Sequence, residues 1–311
     1  MRPRVSVVMP VRDGAAFIDA AVESIRGQTL HELELIVIDD GSQDGTARIV
    51  EAHVADDPRV ILAASRERGL VASLNEGCAL ATSDLIARMD ADDVAVPQRL
   101  AKQVAMLDRE PGTVLLGTAV TQMDESGRSI ASVSYPDDPS GELLGRNCFA
   151  HPTVVFRRVA FERVGGYREQ FPHAEDYDLW LRLAEIGHVR NLAEPLLRYR
   201  LHEAQVTRVE IEQQVASTLS AQAAARSRRA TGSEPRRNEL EPPPDVVRRH
   251  AFGAHVALAG SRLDAGRLDE AAALLAAGRE LRAAGTTAAR AAFRGQLVRL
   301  FLRRRVYSRI R

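Results

Sequence analysis

Short continuous apolar runs alternate along the first third of the chain with stretches of helical period. Val5 to Met9 is a nearly unbroken apolar run closed by Pro10, the pattern of a strand buried on both faces. From Ala15 to Arg26, residues Phe17, Ala21, Val22 and Ile25 fall on one helical stripe. Leu35 to Ile38 repeats the strand pattern, Thr46 to His53 the helical one, and Val60 to Ala63 makes a third strand. Leu70 to Ala81 is helical, Leu85 to Met89 a fourth strand, and Pro97 stands where a helix running to Leu107 would take its first residue.

Strands and helices at this spacing predict right-handed crossovers and an α/β fold with a doubly wound, mostly parallel sheet. In such sheets ligands bind beyond the carboxyl ends of the strands. The first, second and fourth strands end in Pro10 to Asp13, Asp39 to Ser42 and Asp90 to Asp93. Acidic residues are therefore expected to gather on one edge of the sheet. Val114 to Gly117 predicts another strand, the section to about Phe156 has mixed periodicity, and Ala174 to Ile186 reads as an amphipathic helix.

Beyond about His202 the texture turns to Ala, Arg, Glu and Gln with helical period. A linker from about Thr231 to Asp245 holds Pro235 and Pro242-Pro243-Pro244. Ala251 to Ala284 reads as two helices joined near Asp264 to Arg267. The segment Leu263 to Ala271 resembles the turn of a tetratricopeptide repeat, but one legible repeat falls short of the three a stack needs. A basic segment with Phe293, Leu297, Leu300, Phe301 and Val306 closes the chain.

At 311 residues the chain has room for a large domain and a smaller one. The 42 basic and 42 acidic residues balance, so global charge names no partner. Its distribution is uneven, because nine arginines and no acid follow Glu280. A basic amphipathic tail of this kind suits an anionic membrane surface. It lacks the aromatic platform of a nucleic-acid binder, so no nucleic acid is expected. Cys78 and Cys148 are far apart and lack metal-ligand spacing, which predicts a reduced cytoplasmic setting. No run approaches the roughly 18 apolar residues of a membrane span.

Asp90, Asp92 and Asp93 crowd three carboxylates into four residues after a strand. Two such charges about 5 Å apart repel by roughly 3 kcal/mol at an effective dielectric near 20. A divalent cation relieves this, and carboxylate oxygens suit Mn2+ or Mg2+. An isolated Asp-x-Asp is more often a solvated acidic turn; its placement at a strand end favours the cation. From Asp40, the run Asp-Gly-Ser-Gln-Asp-Gly with Glu51 at the twelfth place imitates a helix-loop-helix calcium site. The preceding Glu34 to Ile38 is strand rather than helix, which favours a strand-to-helix turn with Thr46 as the cap of the next helix. Arg66 and Arg68 precede a helix and suit either diphosphate oxygens or a solvated face. No phosphate loop ending in Lys-Ser/Thr occurs, which disfavours simple nucleotide hydrolysis.

Val5-Ser6-Val7-Val8-Met9-Pro10, Val37 to Thr46 and Ala87-Arg88-Met89-Asp90-Ala91-Asp92-Asp93 resemble the successive signatures of the family-2 glycosyltransferases. The resemblance continues through His151-Pro152-Thr153, Gly165-Gly166-Tyr167 and Ala174 to Arg182, and ends near Tyr199-Arg200-Leu201-His202. It implies a GT-A catalytic domain over residues 1–205, followed by a helix and Pro-rich linker to 245 and a helical region to 311. It implies an inverting transferase of the cell-surface polysaccharide type, moving a sugar from a UDP-sugar to a glycan or lipid-linked acceptor. Carried over by position, Pro10, Arg12 and Asp40 line the nucleoside pocket, with Asp39 and Ser42 supporting the turn and Arg68 on the donor side. Asp90 contacts ribose or metal, Asp92 and His202 serve the metal and diphosphate, and Asp176 is the base. Asp93, Glu175, Arg182 and His151 are further candidates. Two other functions share the fold class: a sugar-nucleotide nucleotidyltransferase, and a noncatalytic nucleotide-sugar-binding module.

Overall fold

The computed structural model describes residues 2–201, 211–264 and 268–281, and residues 287, 289–294, 296–297 and 299. They fall into two compact units, Met1–Glu169 with Glu175–His202, and Gln170–Ala174 with Glu203–Arg311.

The first unit is built on a nine-stranded sheet. Its strands are β1 (Val5–Val11), β2 (Leu33–Asp39), β3 (Val60–Ala64), β4 (Leu85–Arg88), β5 (Val94–Ala95), β6 (Thr113–Met123), β7 (Ser129–Val133), β8 (Val155–Arg157) and β9 (His188–Arg200). They run in the order β3-β2-β1-β4-β8-β6-β9-β5, with β7 paired to β6. Pairing is parallel through β3-β2-β1-β4 and again between β6 and β9. The short β8 runs antiparallel between the two parts. This is the mostly parallel α/β sheet with flanking helices that the sequence pattern predicts, and a helical C-terminal part follows it.

All seven residues of β1 are buried, as befits a central strand packed on both faces. Val5, Val7, Met9 and Val11 enter one core cluster. It is shared with α1 (Ile18–Arg26), Val50 of α2 (Thr46–Asp56) and Leu100, Val104 and Leu107 of α4 (Arg99–Arg109). On the other face Val8 of β1 and Ile38 of β2 touch α3 (Leu70–Leu80) at Gly77, where a methyl group would come within 2.4 Å of Val8 Cγ1. The helix can lie this close to the sheet because residue 77 has no side chain.

Several boundaries differ from the sequence reading. Helix α1 begins at Ile18 rather than Ala15, because the Ala15 N–H is drawn to Asp44 Oδ2 at 2.9 Å. Pro97 lies two residues ahead of α4 instead of opening it; its carbonyl receives the Thr29 N–H at 2.8 Å. The strand expected at Val114 to Gly117 extends from Thr113 to Met123, and its partner β9 has no counterpart in the reading. The register of β6 against β9 shifts at Thr118–Ala119, opposite Leu192 and Pro195, so the alternation that marks a strand is broken midway. Helix α6 (Glu175–Leu183) is not amphipathic in its setting. Glu175, Asp178 and Arg182 are buried with Tyr177, Leu179, Trp180, Leu181 and Leu183. Its polar stripe faces protein: Asp178 accepts from Arg168 and Arg182, and Arg182 also donates to the carbonyls of Val164 (2.6 Å) and Gly166 (2.7 Å). Those two carbonyls lie at the end of α5 (Arg158–Val164) and just beyond it.

In the second unit α7 (Ile211–Thr231), α8 (Pro244–Asp264) and α9 (Leu268–Leu281) form a separate core around Phe252, Val256, Leu263, Leu274 and Leu275. Pro244 is the first residue of α8, so the linker closes two residues sooner than its composition suggests. The repeat-like turn at 265–267 and residues 300–311 of the basic tail lie outside the described residues. Among the described residues no helix is long and apolar enough to cross a membrane.

The tight seat of α3 is testable. Gly77→Val should destabilise the chain by about 1–3 kcal/mol through overpacking, read as a lower urea midpoint. An unchanged midpoint would mean that α3 can move off the sheet freely.

Candidate active site

The turns after β1 and β2 leave the same edge, since Val11 pairs with Asp39, and they are clasped together. Asp13, at φ 50°, donates its N–H to Ser42 Oγ (2.9 Å) and accepts the Gln43 N–H (2.8 Å). Gly14 N–H donates to Thr46 Oγ1 at 2.9 Å. Asp39 Oδ1 holds the second turn by accepting the Ser42 N–H (2.9 Å) and hydroxyl (2.6 Å). Thr46 is not the cap of α2 but its first residue, after Gly45 at φ 94°. Its N–H and hydroxyl both donate to Asp44 Oδ1. Asp44, a would-be calcium ligand in the imitation motif, is thus occupied on both oxygens, and its carboxyl is held below the ordinary range by the Thr46 hydroxyl and the Ala15 N–H.

Asp40 is buried, and both of its oxygens accept the Gly69 N–H, at 3.1 and 3.2 Å. Gly69 has φ 113° and ψ 157°, a conformation essentially closed to other residues. The exposed Arg12 stands 3.8 Å from Asp40. Arg68 donates to the carbonyls of Asp40 (2.5 Å) and Gly41 (3.3 Å). Gly41 permits this, as a methyl group there would lie 2.0 Å from Arg68 Nη1. Pro10 is buried and pairs with Ile38 beyond the last β4 partner of β1. It lacks an N–H where β1 has a strand on one side only.

At the end of β4, oxygens of Asp90, Asp92 and Asp93 lie within 4.8 Å of one another. Arg88, 3% exposed, holds Asp90 at 2.5 Å. Arg99 supports it from below by donating Nη2 to the Arg88 carbonyl at 2.7 Å. Burial, with the charge of Arg88, brings the Arg99 guanidinium down to about 9. Asp93 is 1% exposed; Oδ1 accepts the Arg200 N–H at 2.8 Å, and Oδ2 has no partner among the described residues. Burial first, then the charges of Asp90 and Asp92, push its carboxyl well up. Arg200 Nε also donates to the Asp92 carbonyl at 2.7 Å, and its guanidinium lies over Phe17 at 4.5 Å. Three clustered hard oxygens, one of them buried and unpartnered, fit Mn2+ or Mg2+.

At the start of α6, burial and the neighbouring Asp176 push Glu175 up to about 7. Burial also raises Asp176, opposed by hydrogen bonds from the Tyr177 N–H (2.6 Å) and Asn147 Nδ2 (3.0 Å). The charge of Arg88 works downward on both acids. His151 Nε2 is 2.9 Å from the Tyr167 hydroxyl, and its ring meets Trp180 edge-on at 5.6 Å. Burial, then Arg88, holds its imidazole well below its ordinary value, so it packs as a neutral ring.

The structure therefore gathers Asp90, Asp92 and Asp93 in one cluster and puts Glu175 and Asp176 within the field of the same arginine. Pro10, Arg12, Asp39, Asp40, Ser42 and Arg68 stand at the adjoining strand ends. Arg182 is packed inside, His151 is half-buried, and His202 lies outside the described residues. Sequence reasoning passed over Asp13, Asp44, Arg88, Asn147 and Arg200. For Arg88 a signal existed, because a cation inside a buried strand requires a partner.

Residues 6–165 match the glycosyl transferase family 2 profile. The chain belongs to glycosyl transferase family 2. Over 205 residues it is 36% identical to the O-antigen biosynthesis glycosyltransferase WbnJ of Escherichia coli, covering 64% of this chain and 80% of that one. Over 187 residues it is 33% identical to the amylovoran biosynthesis glycosyltransferase AmsE of Erwinia amylovora, covering 59% and 70%. Its fold is GT-A. A mannosyltransferase from Pyrobaculum calidifontis, solved with GDP-Man and Mn2+, superposes with a TM-score of 0.58 at 22% identity, covering 97% of this chain and 86% of that one. Staphylococcus aureus TarS 1–349 with UDP-GlcNAc superposes with a TM-score of 0.62 at 14% identity, covering 97% and 89%.

Glu175 gives this family-2 chain a pH signature. Its ordinary value is 4.5 and its folded value about 7, so the unfolded chain releases this proton first. Its contribution to stability is full below the lower value and is lost as pH rises through 7. Glu175→Gln should remove a slope of at most about 1.4 kcal/mol per pH unit across that window. Urea midpoints at several pH values measure it, and an unaltered slope would assign the titration to another group.

Proposed function

We propose that the chain is an inverting, metal-assisted glycosyltransferase of cell-surface polysaccharide synthesis. The donor is a nucleotide-diphosphate sugar, with UDP as the preferred nucleotide, and the acceptor is a hydroxyl of a glycan or lipid-linked saccharide. The observation that carries the reading is one buried cation, Arg88, acting on two separate acidic groups, the β4 cluster and the Glu175–Asp176 pair. A displacement needs these two functions: a place for the departing diphosphate and a base for the incoming hydroxyl.

In this reading Asp92 and His202 hold the cation and Asp90 contacts ribose or the metal, with Asp93 Oδ2, unpartnered among the described residues, close to Asp90 and Asp92. When bound there, Mn2+ or Mg2+ neutralises charge developing on the diphosphate. Pro10, Arg12 and Asp40 line the nucleoside pocket, and the Asp39–Ser42 bonds keep its turn in shape. Asp176 takes the hydroxyl proton as the acceptor oxygen bonds to the anomeric carbon and the bond from that carbon to the diphosphate oxygen breaks. A single displacement inverts that carbon. The GDP-Man and Mn2+ of the mannosyltransferase, the UDP-GlcNAc of TarS and the polysaccharide roles in the relatives' names support the donor class and the setting. Residues 1–205 form the catalytic domain in this account, and the basic tail brings it to the anionic inner face of the cell membrane.

A nucleotidyltransferase would cradle phosphates on free amides after its first strand. Here the N–H groups of Asp13, Gly14 and Ala15 are taken by Ser42, Thr46 and Asp44, which argues against that alternative.

A panel of UDP-, GDP- and TDP-sugars assayed for nucleotide release tests the reading. Turnover should vanish with chelator and return with Mn2+ or Mg2+, and Asp92→Ala and Asp176→Asn should each lose at least ~10²-fold. Normal transfer by Asp176→Asn would remove the base assignment, and undiminished transfer in chelator the metal. For the tail, flotation with anionic liposomes should fall when the chain ends at Glu280, and equal flotation would discard the membrane contact.

A further inference from the structure

Asn147 lies in the irregular stretch between β7 and the single helical turn His151–Thr153. Its Oδ1 accepts the Phe149 N–H at 3.1 Å, which settles which end of the amide faces where. Nδ2 then points at Asp176 Oδ2, 3.0 Å away. The other carboxylate oxygen, Oδ1, takes the Tyr177 N–H at 2.6 Å. Each oxygen of Asp176 thus has one hydrogen bond from a neutral donor and keeps a lone pair for a further proton.

We propose that Asn147 is a positioning residue for Asp176, aiming its carboxylate and keeping it ionised so that it can take the acceptor hydroxyl's proton. The inference rests on Asp176 being the base of the proposed reaction. A buried carboxyl tends to stay protonated, and a protonated base is idle. Hydrogen bonds donated to the anion oppose that tendency without adding a charge. A cation at position 147 would also hold the anion, but would lower its basicity more. The charged and titratable groups facing Asp176 are Glu175 beside it on α6, Arg88 from β4, Tyr167 ahead of α6 and Tyr135 after β7. Glu175 raises the cost of a second negative charge. Arg88 lowers it but is already engaged with Asp90. Asn147 and the Tyr177 N–H are the donors that touch the carboxylate directly.

The test uses the full chain with Asn147→Ala and Asn147→Asp. The second keeps an acceptor for the Phe149 N–H while removing the donor to Asp176, so it guards against loss of the local turn. Aspartates labelled at the carboxyl carbon with 13C are titrated by NMR, and the signal missing from Asp176→Asn identifies the residue. Asp176 should titrate about one unit higher in Asn147→Ala, and higher still in Asn147→Asp, whose added carboxylate also repels it. The acid limb of kcat/KM, measured with the nucleotide sugar that turns over, should move up with it. That is roughly tenfold lower activity below the limb, with only the smaller loss from a misaimed carboxylate left on the alkaline plateau. A titration that stays in place in both variants overturns the inference. Shifted titrations combined with normal transfer by Asp176→Asn would instead overturn the base assignment, and the catalytic role of Asn147 with it.

Discussion

A single buried guanidinium organises the site. Arg88 is the last residue of β4 and is 3% exposed. Its desolvation would be prohibitive without anions close by. Asp90 at 2.5 Å answers that need, and Asp93, Glu175 and Asp176 lie in the same field. The dependence is mutual, because these acids could not collect at one place in a protein interior without it. Arg99 completes the arrangement from the opposite side by holding the Arg88 carbonyl, at the cost of a lowered affinity for its own proton. The acids of two distant stretches of sequence, just after β4 and on α6, thus share the field of one buried cation.

Around this centre the backbone is tied by side chains rather than by regular ladder bonds. The turns after β1 and β2 are joined by Asp13, Ser42, Asp44 and Thr46. Arg200 at the end of β9 pins the Asp92–Asp93 turn through its own N–H and its Nε. Loops at strand ends are where a parallel sheet can place chemistry, and where it has least stiffness of its own. Short polar residues in the turns supply that stiffness. They explain why the stretch Asp39 to Thr46 looks like a calcium loop in composition yet is spent internally.

The parallel half of the fold was legible because its strands are short, uniformly apolar and cleanly separated, so Val5 to Met9, Leu35 to Ile38 and Leu85 to Met89 mark their own positions. The acidic strand ends followed from topology alone. The part of the sheet around β8 and β9 was not legible. Strand β9 has a register shift and a proline within it, and β8 has only three residues. Neither sustains a period long enough to detect. Helix α6 misled for a different reason: its polar stripe is satisfied by Arg168 and backbone carbonyls instead of water, a distinction periodicity cannot make. Asn147 and Arg200 act on Asp176, Asp92 and Asp93 through contacts 29 to 108 residues apart in sequence, and spacing rules do not reach that far.

The charge balance of the site bears on how the reaction would be ordered. Asp90, Asp92, Asp93, Glu175 and Asp176 outnumber the buried cations Arg88, Arg99 and Arg200. Burial accordingly pushes Asp93, Glu175 and Asp176 toward their protonated forms. In the proposed reaction a site in that state would hold protons where a cation and a base are needed. Positive charge placed at the β4 cluster would remove part of the repulsion that keeps Asp93 protonated. It would also act across Arg88 on the α6 acids, in the direction that frees Asp176 to accept a proton. In the proposed reaction, electrostatic linkage of this kind would make the base competent only once the donor side is loaded.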